Sequence, residues 1–492
     1  MEETSTLKKS IEGGKWVFIN SVSQKIIGFL SFLILARLLT PIDFGMLAIL
    51  LIVPNFIILV SATGFEAALI QKKEDPVPYL NAVWTFNVLK SLAMFLIIFF
   101  AAPLIASFFQ IQEALLAIRL SGLIVLISGS ANIAQLFFFK NIDFKKVFIR
   151  DTVGFIAYNV VALVLAIFYR SFWPLFWGTV ALHLSSTASI YFLHEFRPRL
   201  DFRFKKLLAL TNYSKWIYWQ NLMDRITLTV ENSLVAKMLG ATEVGLFTRA
   251  KSLASVPISP FANIINRVTF PAYTRIQDSY EKITDGFLKS LDILFFISIP
   301  VSFLFIEFGQ RVVLILLGEK WIGIEIILKV IILAFAVNAF YSSAIPIFNA
   351  LGKPQIKSWI MLINLISLSA SLLILIPIYG VLGAAIGMLL ASVTTSLASI
   401  LILTRVITIK LIDIIKSPFA PLAASLIVFM IGRLTLKYFG PLTDLEFAIL
   451  ISLLGIFYLA VIVFIGKLFN KGPYFTLRLI VSETLNLKIK AK

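Results

Sequence analysis

Long apolar runs separated by short polar breaks dominate this chain. A hydrocarbon core of about 30 Å needs roughly 20 apolar residues per helix, whereas a membrane-spanning strand shows about 10 residues of alternating polarity. The runs have the helical length and lack the alternation. They predict about 14 transmembrane helices, the first near residues 15–38 and the last near 445–468. We therefore predict an all-α polytopic membrane protein.

The composition agrees with a membrane as the main solvent. The 492 residues are 59% hydrophobic and only 14% charged, far more apolar than a soluble domain. The chain has no cysteine, which excludes disulfides, thiolate metal sites and cysteine nucleophiles together. The two histidines, His183 and His194, are not spaced for a metal site, and we expect neither to be functional; His194, near a predicted membrane edge, is expected to be a solvated imidazole. We expect no catalytic residue, no metal and no cofactor.

The predicted membrane topology explains the net charge of +18. Lysines and arginines are scattered among the apolar runs instead of forming one basic face, so we expect no nucleic-acid partner. If the amino terminus is inside, the cytoplasmic connections hold most of the cations, and the opposite side keeps few, such as Arg170, Arg311 and Lys320. Because cytoplasmic loops are enriched in lysine and arginine, we predict a multi-pass protein of the inner (cytoplasmic) membrane with both termini in the cytoplasm.

The chain repeats itself at an offset of 200 positions. The segment KWVFINSVSQKIIGFLSFLILARLLTPIDFG from Lys15 aligns without a gap on KWIYWQNLMDRITLTVENSLVAKMLGATEVG from Lys215. Lys25 then matches Arg225, and Gly45 matches Gly245. Both copies enter the membrane from the cytoplasmic side, so the repeat is parallel, an arrangement that transporters use to hold a ligand near the midplane.

The repeat and the spans together predict the domain organisation. We expect two six-helix lobes, at residues 1–194 and 215–405, joined by a basic cytoplasmic linker at 195–214. Residues 406–492 add two transmembrane helices and a basic cytoplasmic tail. The linker is expected to lie along the membrane surface, and short extracytoplasmic turns are predicted at 39–43, 240–244 and 377–380.

Several polar residues fall inside the predicted spans. A charge within the bilayer costs about 2.5–3.5 kcal/mol on insertion scales, so such residues normally face a protein interior or a water-filled cavity. Lys25 and Arg225 lie roughly halfway through their helices at 1.5 Å per residue. Arginine and lysine bind phosphate oxygens well. The predicted substrate-binding residues are Lys25, Arg225, Arg119, Arg249, Lys251, Asn20 and Gln24.

Other roles for these and neighbouring charges remain open at this point. Arg225 has two possible ion-pair partners nearby, Asp224 and Glu231, and the same two carboxylates are the candidates for ion coupling. Glu325 and Lys329 are spaced as an ordinary helical ion pair. Arg37 and Lys237, near the outer interface, have side chains long enough to snorkel towards water. The energy source, whether membrane potential, proton or sodium ion, is not determined.

Four motifs carry a family resemblance. They are LARLLTPIDFGMLA (35–48), VAKMLGATEVGLFTRA (235–250), NALGKP (349–354) and IPIYGVLGAAIG (376–387). With these motifs the chain resembles the polysaccharide transporter branch of the multidrug/oligosaccharidyl-lipid/polysaccharide flippase superfamily, and it looks most like the Wzx-type flippases. The resemblance implies two six-helix lobes with two additional carboxy-terminal helices. It also implies that related lipid flippases hold cavity cations on the first and eighth helices, where Lys25, Arg249 and Lys251 fall.

The function implied by the resemblance is transport by alternating access. The expected substrate is an undecaprenyl-diphosphate-linked oligosaccharide, carried across the inner membrane for cell-surface polysaccharide synthesis. A cation-coupled multidrug exporter of the same superfamily is the alternative, although acidic cavity residues would suit it better. A membrane sugar polymerase or glycosyltransferase is less expected, because the chain lacks a large extracytoplasmic loop, an aspartate pair and a glycine-rich phosphate loop. Beyond substrate and membrane lipid, we expect polysaccharide assembly proteins as partners of a monomer, and no enzymatic activity.

Overall fold

The computed structural model describes residues 2–61, 65–71, 75–141, 143–207, 226–407, 409–440, 442–469, 472–476 and 478. Within these ranges every regular element is a helix, in agreement with the all-α prediction. The chain divides into two compact units, an amino-terminal unit (Met1–Leu246) and a carboxy-terminal unit (Phe247–Lys492). This division does not test the predicted lobe and linker boundaries, which stay a prediction.

Among the described residues, nine α-helices lie wholly in the amino-terminal unit. They are α1 (Glu2–Leu38), α2 (Pro41–Val60), α3 (Phe65–Gln71), α4 (Val77–Phe109), α5 (Leu115–Gly129), α6 (Leu136–Lys140), α7 (Phe144–Phe168), α8 (Trp173–Leu193) and α9, described over residues 226–239. The α7–α8 pair packs closely because its interface carries small residues. A side chain on Gly154 would overlap Ser186 of α8, and one on Gly178 would lie 2.9 Å from Ala162.

The carboxy-terminal unit begins inside α10 (Ala241–Ser255), which crosses the boundary between the units. It continues with α11 (Ser259–Arg275), α12 (Tyr280–Leu317), α13 (Glu325–Val337), α14 (Ala339–Ala350), α15 (Pro354–Val406), α16 (Leu411–Lys416), α17 (Phe419–Phe439) and α18 (Asp444–Phe469). An aromatic cluster that includes Phe308, Phe429 and Phe447 packs α17 and α18 against α12. The two helices predicted to follow the second lobe therefore share a core with α12.

Two of the predicted extracytoplasmic turns are breaks between helices, and neighbouring residues explain both breaks. Thr40 caps α2, because its backbone N–H and its Oγ1 both donate to Asp43 Oδ2, at 2.9 and 2.6 Å. Pro41 occupies the first turn of α2, where its missing N–H costs nothing. Gly240 stands between α9 and α10 with φ +84°, a conformation that glycine adopts without strain. The breaks between helices predicted within 39–43 and 240–244 are confirmed, and their extracytoplasmic side stays a prediction.

The third predicted turn lies inside α15. Gly380 breaks this helix with φ 58° and ψ −136°, and a side chain on Gly383 would overlap the Leu375 carbonyl. The α15 helix is thus two consecutive helices joined by a kink. Across the described ranges, nine helices are long and apolar enough to span a membrane, with residues 355–406 counted as one. The total of about 14 spans and the lobe arrangement stay predictions.

The first part of the predicted linker packs against α4. Residues 195–203 have no regular secondary structure, and two backbone N–H groups bind α4: Arg199 donates to Asn81 Oδ1 and Asp201 to Thr85 Oγ1, both at 2.9 Å. Asp201 is buried and pairs with Arg203 at 2.8 Å, which raises the pKa of the Arg203 guanidinium. Leu200 and Phe202 point outward and are exposed. Whether this exposed edge touches the membrane surface stays a prediction.

Candidate functional site

The predicted amide residues of α1 bind one another and α7. Gln24 Nε2 donates to Asn20 Oδ1 at 2.8 Å, and Asn20 Nδ2 donates to Asp151 Oδ2 at 3.2 Å. The four-residue spacing of Asn20 and Gln24 puts both on one face of the helix. Lys25 follows directly and its side chain is exposed. The structure therefore brings two of the predicted site residues together and places a cation beside them.

A chain of side-chain hydrogen bonds extends this amide pair across the unit. Arg150 Nε and Nη2 donate to Asp151 Oδ1 at 2.8 and 2.7 Å, and Arg150 Nη1 donates to Gln135 Oε1 at 3.1 Å. Gln135 Nε2 then donates to Glu66 Oε1 on α3 at 3.0 Å. Sequence reasoning missed Asp151 as a partner of α1, because contacts between distant segments leave no periodic signal in one sequence.

Arg119 lies on α5 within a membrane-length helix. Its guanidinium carbon is 5.0 Å from the ring centroid of Phe99 on α4, a cation–π contact. Arg119 Nε is buried and has no hydrogen-bond partner among the described residues. A buried donor without an acceptor carries an uncompensated desolvation cost, and this nitrogen can meet a ligand oxygen only in a conformation that exposes it.

The predicted acidic and basic residues of the repeat are only partly described. Arg225 and Asp224 lie outside the described residues, so their pairing is not tested. Glu231 is 3% exposed on α9. Arg249 and Lys251 are half-buried on α10 and belong to the carboxy-terminal unit, whereas Lys25 belongs to the amino-terminal unit. The structure places these residues without assigning them a ligand.

Other charges and both histidines have structural partners. Lys329 Nζ lies 2.5 Å from Glu325 Oε1, which confirms the predicted helical ion pair. Lys90 Nζ donates to the Ser61 carbonyl at the end of α2, at 2.7 Å. His183 Nδ1 is 3.0 Å from Ser128 Oγ, and His194 stacks on Phe137 with a centroid separation of 5.3 Å. His194 thus packs on an aromatic ring instead of standing free in solvent, and the expectation that neither histidine is functional stays a prediction.

Lys237, near the end of α9, contacts Phe108 of α4. Its Nζ donates to the Phe108 carbonyl at 2.6 Å and lies 4.7 Å from the centroid of the Phe108 ring. Phe108 belongs to the last turn of α4, whose carbonyls lack partners within the helix. Lys237 therefore binds a helix terminus, a role that the snorkelling alternative did not include.

The helices of membrane length and the all-helical architecture define a multi-pass helical membrane protein. Residues 34–326 match the family described as "Polysaccharide biosynthesis protein". The match covers more than half of the chain, so the chain belongs to this family. The resemblance inferred from the four motifs is confirmed.

Full-length relatives and one solved structure extend this assignment. An uncharacterized membrane protein in the cps region of Klebsiella pneumoniae is 24% identical over 422 residues, which cover 85% of this chain and 87% of the relative. The succinoglycan biosynthesis transport protein ExoT of Rhizobium meliloti (strain 1021) is 21% identical over 445 residues and 89% of each chain. The lipid II flippase MurJ, in an inward closed conformation, is similar with a TM-score of 0.74 at 14% identity, over 92% of this chain and 99% of MurJ. That similarity shows the fold.

Proposed function

We propose that this protein is a flippase that moves undecaprenyl-diphosphate-linked oligosaccharide across the inner membrane by alternating access, for cell-surface polysaccharide synthesis. The observation that carries the proposal is Arg119, a guanidinium at membrane depth whose buried Nε has no acceptor among the described residues. Family membership supports the polysaccharide context. The names of ExoT, a transport protein, and MurJ, a lipid flippase, support transport of a lipid-linked molecule.

In this proposal the diphosphate is bound by cations from several helices. Lys25 directly follows Gln24 and is exposed, and the Arg119 guanidinium, whose Nε has no acceptor among the described residues, binds a phosphate oxygen once the conformational switch exposes it. Arg225, Arg249 and Lys251 are the further proposed ligands. A substrate drives a conformational switch only through different affinities for the two states, so these phosphate contacts must change during transport. Asp224 and Glu231 are the proposed ion-coupling residues.

We also propose what kind of protein this is and how it is oriented in the membrane. The protein acts as a transporter and not as an enzyme, with both termini in the cytoplasm, and it works as a monomer next to polysaccharide assembly proteins. The positive-inside distribution of lysine and arginine supports this orientation.

The test is leaflet-selective labelling of a lipid-linked oligosaccharide in proteoliposomes. We compare the wild type with Lys25→Ala, Arg119→Ala, Arg225→Ala and the Lys25/Arg119 double variant. A hydrogen bond to a charged group contributes about 1.5–3 kcal/mol, so each variant should lose roughly tenfold or more of its transport at low substrate. Lys289→Ala is the control, because Lys289 forms an exposed pair with Asp285 near the start of α12. Unchanged transport in the double variant would remove the binding-site assignment.

A further inference from the structure

An apolar groove of about 500 Å³ runs along one side of the amino-terminal unit, a volume typical of ligand sites. Three helices line it: α2 contributes Ile52 and Phe56, α4 contributes Leu104 and Phe109, and α9 contributes Thr229 and Ser233. All three helices belong to the same unit. The residues proposed to bind the diphosphate do not line this groove, so it is a separate feature.

The groove has a buried floor and an exposed rim. Ile52 and Phe109 on the floor are less than a tenth exposed, whereas Leu104 on the rim is 75% exposed and Phe56 is 41% exposed. Both α2 and α4 have the length and apolar composition of membrane-spanning helices. Exposed apolar surface of this kind at membrane depth is filled by hydrocarbon and not by water.

A cation marks one end of the groove. Lys237 lies one helical turn beyond Ser233, and its Nζ holds the Phe108 carbonyl and faces the Phe108 ring, which also lines the groove. An ammonium has three donors, and the carbonyl uses one of them. Two donors therefore remain for an anion at the point where the apolar wall ends.

The lining residues lie at different distances from the helix ends, so the groove has a polar end and an apolar end. Phe108 and Lys237 lie in the last turns of α4 and α9, and these helix ends, like the start of α2, are predicted to be extracytoplasmic. Ile52 is eleven residues into α2, which at 1.5 Å per residue places it roughly 16 Å deeper. The polarity of the groove thus matches a lipid whose phosphate lies at the surface and whose chain points towards the middle of the bilayer.

We propose that this groove binds the polyprenyl chain of the lipid-linked substrate with its phosphate at Lys237, on the side predicted to be extracytoplasmic. The proposal rests on the proposed flippase function and assigns the site at which the lipid lies once its headgroup has crossed. Three phenylalanines, Phe56, Phe108 and Phe109, line the groove, and one cation, Lys237, contacts the ring of Phe108. One branched, unsaturated chain with a phosphate-bearing headgroup at this cation fits it better than a two-chain phospholipid does.

The experiment is photo-crosslinking in nanodiscs with a diazirine-labelled polyprenyl phosphate, followed by mapping of the labelled peptides. Ser233→Trp fills the groove and should reduce labelling of α2, α4 and α9 peptides at least tenfold. Lys237→Gln removes the cation and should weaken labelling by the phosphate probe three- to tenfold, while labelling by the uncharged polyprenol stays the same. Should Ser233→Trp not fold, as judged by size-exclusion chromatography, Ser233→Leu replaces it.

Two control variants match these changes in the carboxy-terminal unit. Ser452→Trp places the same large side chain on the exposed face of α18, and Lys437→Gln removes a lysine from the last turn of α17. Both should leave groove labelling unchanged. The proposal is overturned if groove labelling persists in the Ser233 variant, or if a diazirine phosphatidylglycerol probe labels the same peptides equally and competes, which would assign the groove to bilayer lipid.

Transport measured in parallel separates this proposal from the proposed function. Groove labelling by a wild-type protein that moves no lipid-linked oligosaccharide would retain the site and reject the flippase. Transport by a protein whose groove is never labelled would retain the flippase and reject the site.

Discussion

Gly45 and Gly245 meet where α2 and α10 cross, and each lies against the backbone of the other helix. A side chain on Gly45 would overlap the Ala241 carbonyl, and a side chain on Gly245 would overlap the Pro41 carbonyl. Positions 41 and 241, like 45 and 245, are 200 apart, so the contact is reciprocal. Equivalent positions of the repeat therefore contact each other at this crossing.

Alanine at either glycine should destabilise the protein to a similar extent. Gly45→Ala and Gly245→Ala must both push the two backbones apart, and overpacking of this kind costs about 1–3 kcal/mol. The measurement is the thermal unfolding midpoint in detergent. Gly455→Ala is the control, because a side chain there meets open space inside a helix, where alanine is favoured by about 0.5–1 kcal/mol. A Gly45→Ala protein as stable as the Gly455→Ala protein would contradict the close crossing.

Asp151 should couple α1 to α7. Asp151→Ala removes the acceptor of both Asn20 and Arg150 and leaves the half-buried guanidinium without its carboxylate partner. Hydrogen bonds to charged groups contribute about 1.5–3 kcal/mol, and partial exposure of the pair places the expected loss at the lower end. A double-mutant cycle of unfolding with Asn20→Ala should show less than additive losses. Strictly additive losses would mean that Asn20 and Asp151 do not interact.

Asp292 should hold the segment that follows α18. Its carboxylate accepts from Ser417 Oγ at 2.7 Å and from Thr476 Oγ1 at 3.4 Å, and so joins α12 to the start of α17 and to residues 472–476. Asp292→Ala should free this segment and speed tryptic cleavage after the exposed Arg478 several-fold. Asp285→Ala, on an exposed ion pair of the same helix, serves for comparison and should not change the cleavage rate.

The orientation of α12 can be measured directly, because the chain has no cysteine. Glu281 and Glu319 are exposed just inside and just beyond the two ends of this helix. A membrane-impermeant maleimide should label Glu319→Cys in intact cells and Glu281→Cys only after permeabilisation. Labelling with the opposite preference would invert the predicted topology and the side assigned to the groove.

Much of the local structure could be predicted from sequence, because it depends on signals carried by neighbouring residues. Runs of membrane length predicted helices, and the turns at Thr40, Gly240 and Gly380 follow from a capping box and from glycines with positive φ. The pair Glu325–Lys329 follows from helical spacing. The ungapped repeat also predicted that positions 45 and 245 are equivalent.

The partners of the polar residues were decided by the tertiary structure. Asn20 was predicted as a ligand of substrate, yet it donates to Asp151, 131 positions away. Lys237 was predicted near the interface, but its contact with Phe108 depends on how α9 packs beside α4. Helix periodicity specifies which face a residue occupies, whereas only the packing of distant helices specifies which atoms that face meets.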